Sequence, residues 1–171
     1  GVSILRDKHR ADMVSLLVNE GDLCGLGYYN QPPVNAANID HMFTVVKLSC
    51  ALDNYTFAHE LGHNFGMQHD RISTDESTSP ECNHGSVFKL KYKLPWPMTL
   101  NHRSVMTNAS ACNDCPRLGV YSNPTTINIA NYLTIGPMGA ACTDAPTNGN
   151  YKRANNRQQL IDAAPVVSNY R

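Results

Sequence analysis

The chain has 171 residues with 14 basic and 14 acidic side chains, giving a formal net charge of zero. That length suits one domain with a core large enough not to depend on metals or disulfides. The charge balance excludes a nucleic-acid surface and a polybasic membrane surface, and no run of apolar residues is long enough for a transmembrane helix.

In chain order, Val2 to Arg10 is amphipathic and reads as the end of a helix. Met13 to Val18 is a short apolar run, expected as a buried strand, and Glu20-Gly21-Asp22 breaks it. Cys24 to Tyr29 is a second extended segment, Gln31 to Asp40 a loop, and Met42 to Val46 a third strand. A helix is predicted from about Asn54 to Phe65, capped by Asp53 or Asn54 and ended by Gly66. Arg71 to Pro80 reads as a Ser/Thr-rich loop, and Val87 to Leu94 alternates as a solvent-facing strand ended by Pro95 and Pro97. Trp96, between those prolines, is expected as a packed loop anchor. Asn108 to Asn150 is expected to be mostly irregular and held by cysteines. Ala154 to Tyr170 returns to helical spacing, with Leu160, Ile161, Ala164 and Val167 on one side and a kink or restart at Pro165.

Charged residues are 16% of the chain, below the roughly 25% of an average soluble domain, and Asn, Ser and Thr take their place, a lean common in extracellular proteins. Six cysteines (Cys24, Cys50, Cys82, Cys112, Cys115 and Cys142) fit three disulfides in an oxidising compartment. Buried free thiols are the bland alternative, and sequence alone cannot choose the pairing. Cys112 and Cys115 form a CxxC, but without a second one a four-ligand zinc knuckle is not expected. No secretory leader is visible, and a start at Gly1 rather than Met reads as processing from a longer precursor.

The most specific stretch is His59-Glu60-Leu61-Gly62-His63-Asn64-Phe65-Gly66-Met67-Gln68-His69-Asp70. His59 and His63 are one helical turn apart, so both imidazoles share a face and can hold one tetrahedral metal. Glu60 points beside the metal, where a general base for water belongs. Gly66 frees the backbone for a sharp turn that brings His69 back as a third nitrogen ligand. Three histidines leave a fourth position open, the mark of a catalytic site. By average residue usage the full HExxHxxGxxH arises by chance about once in a hundred thousand chains of this size, so solvated helix histidines are a poor competing account.

This pattern resembles the metzincin zinc peptidases. Ser104-Val105-Met106-Thr107 looks like their Met-turn, with Met106 as an apolar floor under the metal. Asp70, directly after the third His, resembles the adamalysin (reprolysin) branch, which implies a structural role behind the site. Ala11 to Leu17 and Cys24 to Tyr28 look like the family's inner and edge strands, and Cys115-Pro116-Arg117 through Tyr121-Ser122-Asn123-Pro124 resembles bacterial reprolysin-like secreted proteases. The resemblance implies an α+β, zincin-like fold: a twisted mixed sheet, an active-site helix and a C-terminal helix, in one catalytic domain over residues 1–171. The family's opening strand, helix and strand have no counterpart before Val2, and no Tyr zinc ligand follows Met106.

The resemblance further implies one catalytic zinc ion on His59, His63 and His69, and protein or peptide substrates in an extracellular setting. Glu60 would carry the water's proton to the leaving amine. Substrate is expected to extend along Leu26, Gly27 and Tyr28, with Asn108 and Ala109 helping to wall the pocket for the side chain after the cut. Any propeptide inhibitor of the precursor lies outside these residues. Scattered Asp and Glu could take calcium, but no EF-hand-like run supports it. The glycosylation patterns at Asn54 and Asn108 are expected to be unmodified, and His9, His41, His84 and His102 to be ordinary histidines. The competing reading is a catalytically silent binding module on the same scaffold. Inactive relatives usually lose the Glu or one His, and all four are intact here.

Overall fold

The fold is that of a computed structural model, which describes residues 1–76, 81–93, 97–129, 133–135, 137–144 and 153–170. Trp96 and the tail of the expected loop at Pro80 lie outside them. In chain order the elements are α1 (Val2–Lys8), β1 (Val14–Val18), β2 (Gly25–Gly27), a 3-10 turn (Ala36–His41), β3 (Phe43–Lys47), α2 (Leu48–Ala51), α3 (Thr56–Asn64), α4 (Arg71–Thr74), β4 (Val87–Tyr92), β5 (Met98–Arg103), a second 3-10 turn (Ala109–Cys112), β6 (Ile127–Ile129), β7 (Leu133–Ile135) and α5 (Asn156–Val167). This mixture of small sheets and helices is α+β. The chain divides into two compact units, residues 1–67 with 159–171, and residues 68–158.

The first unit holds a three-stranded mixed sheet in the order β1-β3-β2, with β1 parallel and β2 antiparallel to β3. Alternation along β3 turns Thr44 and Val46 inward, at 3% and 0% exposure, and leaves Val45 open. Pairing places Leu26 opposite Val45, so Leu26 takes the open face as well, while the flanking Gly25 and Gly27 face α3. The core gathers Val34, Met42, Ala163, Val167 and Tyr170. Arg6 is also buried, its guanidinium stacked over Phe43 at 5.1 Å and bonded to the Ile39 carbonyl. A disulfide joins Cys24 to Cys50.

The second unit holds an antiparallel sheet in the order β5-β4-β7-β6. Phe88 and Leu90 of β4 point into a core with Met138, while Lys89 and Lys91 point out. Two disulfides, Cys82–Cys142 and Cys112–Cys115, tie the irregular stretches.

Several local expectations need correction. Helix α3 starts at Thr56 without a side-chain cap, because Tyr55, at φ 53°, closes a turn onto the Leu52 carbonyl (3.0 Å) that feeds directly into it. Arg71–Thr74 is helical rather than loop, since Asp70 caps it. Part of the expected loop 31–40 winds into a 3-10 turn through a reciprocal Asn35–Asn38 cap. The strand β4, flanked by β5 and β7, keeps the expected alternation, with Lys89 and Lys91 on its open face. Ile161 is exposed and Ala163 is buried in its place, while Val167 is buried as expected, Tyr170 is buried beyond the end of α5, and Pro165 sits inside that helix.

Candidate metal centre

His59 and His63 lie four apart on α3, both buried, with their rings edge to face at 4.9 Å. His63 Nδ1 is 2.9 Å from the Met67 carbonyl. A carbonyl only accepts, so Nδ1 carries the proton and Nε2 is the nitrogen available to a metal. Asn64, fully buried, fixes the end of the helix: its amide donates to the carbonyls of Tyr28 (3.0 Å), His41 (3.3 Å) and Phe43 (3.4 Å). Asn30 returns the contact, donating to the Asn64 carbonyl at 2.9 Å. Gly66 follows at φ +80°, and a Cβ there would stand 2.7 Å from the Asn30 carbonyl oxygen, so both its conformation and its packing demand glycine.

Glu60 is buried at 6% exposure and lies against the edge strand. A Cβ on Gly25 would meet Glu60 Oε1 at 2.5 Å, and one on Gly27 would meet the Glu60 backbone oxygen at 2.7 Å. The two glycines of β2 are therefore what lets the strand pass this close to the carboxylate. Leu26 and Tyr28 point elsewhere, at 66% and 57% exposure, with Tyr28 stacked on His41 at 5.1 Å. A cavity of about 370 Å³ borders the strand, lined by Leu26, Gly27, Tyr28, Phe43, Thr44 and Val45.

The third histidine is held by different means. His69 donates its backbone N–H to Gln68 Oε1 at 2.9 Å, and its carbonyl accepts from His84 Nδ1 at 2.9 Å. Gln68 brackets the same residue, donating to the Asn83 carbonyl (2.6 Å) and accepting from Gly85 N–H (3.1 Å). Burial pushes the fully buried His84 ring down to about 4, so it is neutral near pH 7 and has one N–H to give. The shorter contact, to His69, takes that proton. Nε2 then faces Glu76 at 3.4 Å as a contact rather than an ion pair. Burial likewise lowers the His69 pKa, opposed by Asp70 and assisted by Arg117, which favours the neutral form that binds metals.

Asp70 is buried and bonds three ways. Its carboxylate accepts from Ser73 N–H (3.0 Å), Ser73 Oγ (2.8 Å) and Asn108 N–H (3.0 Å). Asn108 in turn places its amide 3.5 Å from His69 Nδ1, and Ala109 opens the 3-10 turn that follows. Met106 is fully buried in a turn closed by Thr107 N–H to the Ser104 carbonyl (3.0 Å). Sequence reading did not single out Asn30, Asn64 or His84. Asn64 lies inside the motif at a variable position, and nothing in the spacing of His84 marks it.

His59, His63 and His69 bring one ring nitrogen each to within 4.8 Å of the others, and among the described residues no other group of three His, Cys, Asp or Glu does so. Three neutral imidazoles are a donor set that zinc accepts.

The family model described as Metallo-peptidase family M12 matches residues 2–115. A peptidyl-Asp metalloendopeptidase of Stenotrophomonas maltophilia (strain K279a) is 33% identical over 167 residues, covering 97% of this chain and 33% of that protein. One of Xanthomonas campestris pv. campestris is 33% identical over 168 residues, covering 97% of the chain and 32% of its own length. A third, of Pseudomonas aeruginosa, is 25% identical over 183 residues and is covered to 28%. The chain thus spans about a third of the length of these relatives. No solved structure matches it. On the match across residues 2–115, the chain belongs to metallo-peptidase family M12.

Proposed function

We propose that these residues form the catalytic region of a secreted, zinc-dependent endopeptidase with a preference for aspartate beside the scissile bond. The observation that carries the reading is the cluster of three ring nitrogens on His59, His63 and His69 in a chain of this family. The relatives' shared description as peptidyl-Asp metalloendopeptidases supports the aspartate preference. Three disulfides support an extracellular setting.

Zinc, when bound, supplies Lewis-acid chemistry that acidifies a water and polarises the scissile carbonyl. Glu60 is the general base: it takes the proton from the attacking water and delivers it to the leaving amine. Its burial against Gly25 and Gly27 fixes the carboxylate in one place. The strand β2 is the edge of its sheet, which suits it to align an extended substrate by backbone pairing along Leu26, Gly27 and Tyr28. Asn108 and Ala109 wall the pocket for the side chain after the cut. Asp70 supports that wall through the Asn108 N–H and binds no metal.

The test is Glu60→Gln. Casein cleavage should fall by about a hundredfold to ten-thousandfold while one zinc per chain is retained, and a chelator should abolish cleavage by the unaltered protein. Undiminished cleavage by the variant would sink the assignment.

A further inference from the structure

The open face of the second sheet is basic and has no counter-charge. Lys89 and Lys91 of β4 point outward, and Lys93 continues the alternation just past the strand. All three are exposed, and none makes an ion pair or a side-chain hydrogen bond among the described residues. The four strands contain no Asp or Glu, and none occurs anywhere between Glu81 and Asp114. Register sets Asn101 beside Lys89 and Thr99 beside Lys91, so the neighbours on β5 are neutral and short. Lysines at every second residue of an extended strand recur about every 6.8 Å.

The strand β5 is the outer neighbour of β4. Its last residue is already paired on the far side: Arg103 N–H goes to the Pro116 carbonyl at 3.0 Å, and Leu118 N–H to the Arg103 carbonyl at 2.9 Å. Arg103 therefore turns its backbone polar groups away from β4, and in an antiparallel ladder every second residue does the same. Asn101 and Thr99 are those residues. Among the described residues nothing pairs with their outward N–H and carbonyl groups. Met98 to Asn101 is exposed on both faces, with Met98 and Leu100 at 50% and 42%. Edge strands are commonly protected by lysines of their own. This stretch carries no charge, and the lysines stand one strand inward.

We propose that the β5 edge from Met98 to Asn101 docks an extended polypeptide segment in which acidic and apolar residues alternate. The segment adds its backbone to Thr99 and Asn101, beyond the point where residues 116–118 already pair with Arg103. Its carboxylates, at every second residue, fall on the lysine face, and Lys89 and Lys91 reach them across the short side chains of Asn101 and Thr99. Its apolar side chains fall on the other face, beside Met98 and Leu100. Only a polypeptide returns backbone hydrogen bonds to such an edge, which favours it over an anionic polysaccharide. Docking needs no bond cleavage, so the proposal stands apart from the endopeptidase reading.

The probe is a short fluorescent peptide of alternating Glu and Val, titrated into the zinc-loaded protein carrying Glu60→Gln so that the probe is not cut. Anisotropy should show saturable binding that weakens as salt screens the charges. Backbone amide exchange at Thr99 and Asn101 should slow in the complex. Lys89→Glu combined with Lys91→Glu should weaken binding by about tenfold to a hundredfold. An isomer of the probe with Glu and Val in consecutive pairs, which puts half its carboxylates on the wrong face, should bind less tightly. No binding, unchanged exchange at Thr99 and Asn101, or equal binding by the charge-reversed variant would overturn the proposal. So would dextran sulfate, or the paired-order isomer, binding as tightly as the alternating probe. The thermal midpoint shows whether the charge reversal disturbs folding, and Lys89→Gln combined with Lys91→Gln decides where it does. Failure of any of these leaves the Glu60 assignment untouched, since that is read from casein cleavage.

Discussion

Two of the three imidazoles and the third are positioned by different physics. His59 and His63 are placed by helix geometry: four residues on α3 amount to one turn, so the rings share a face whatever else surrounds them. His69 is placed by hydrogen bonds that span long stretches of sequence. Its carbonyl depends on His84, fifteen residues on, and its ring touches Asn108, thirty-nine residues on. The helix side therefore tolerates loss of a remote partner and is vulnerable to changes that shift α3. The loop side is vulnerable to loss of any of a few distant bonds.

That contrast can be sharpened by perturbing each side separately. On the helix side, Gly27→Ala puts a methyl 2.7 Å from the Glu60 backbone oxygen. Backbone cannot yield as a side chain can, so α3 and β2 must part. We expect about 1–3 kcal/mol of destabilisation and a loss of about a hundredfold in kcat through displacement of Glu60. Zinc affinity should change little, since the helical spacing of His59 and His63 survives. Denaturant unfolding and zinc titration check the two halves of this expectation.

On the loop side, His84→Ala removes the donor to the His69 carbonyl and leaves that acceptor without it. Zinc affinity measured by chelator competition should fall about tenfold to a hundredfold, and His84→Asn, which can still offer an N–H near the same place, should recover part of it. Equal affinity in the Ala variant would show that the loop holds itself.

A smaller effect follows from the titration of the same residue. Burial holds the folded His84 pKa near 4, below the ordinary 6.5 of the unfolded chain. As pH falls below 6.5 the unfolded state takes up a proton that the folded state refuses, so stability drops with falling pH until the folded pKa is reached. The contribution is fully present above pH 6.5 and about 2 kcal/mol of it should be gone near pH 5. Urea unfolding of the metal-free protein across that window should show the loss, and His84→Asn should flatten it.

The same division explains what could be read from sequence. The helix pair, the Gly66 break and the alternation of Val87–Tyr92 are local periodicities, and local periodicity is written in consecutive residues. The cap on α4 is hidden in the sequence because Asp70 reads equally as a family marker, although Asp before Ser73 is an ordinary capping arrangement. On α5 the spacing places Val167 correctly and Ile161 wrongly, because Ile161 is apolar yet exposed. The glycines of β2 read only as part of a strand, because their closeness to Glu60 depends on how α3 packs, which no spacing encodes. His84 has no motif at all: a lone histidine gains its role only when the fold sets it under the His69 carbonyl.

In the proposed enzyme a helix pair and a loop histidine share one zinc ion. The direct measurement is X-ray absorption at the zinc edge of the loaded protein. Three imidazole nitrogens and one oxygen ligand at about 2.0–2.1 Å, reduced to two imidazoles in His69→Ala, is the result expected. A sulfur shell, or the same imidazole count with and without His69, would contradict it.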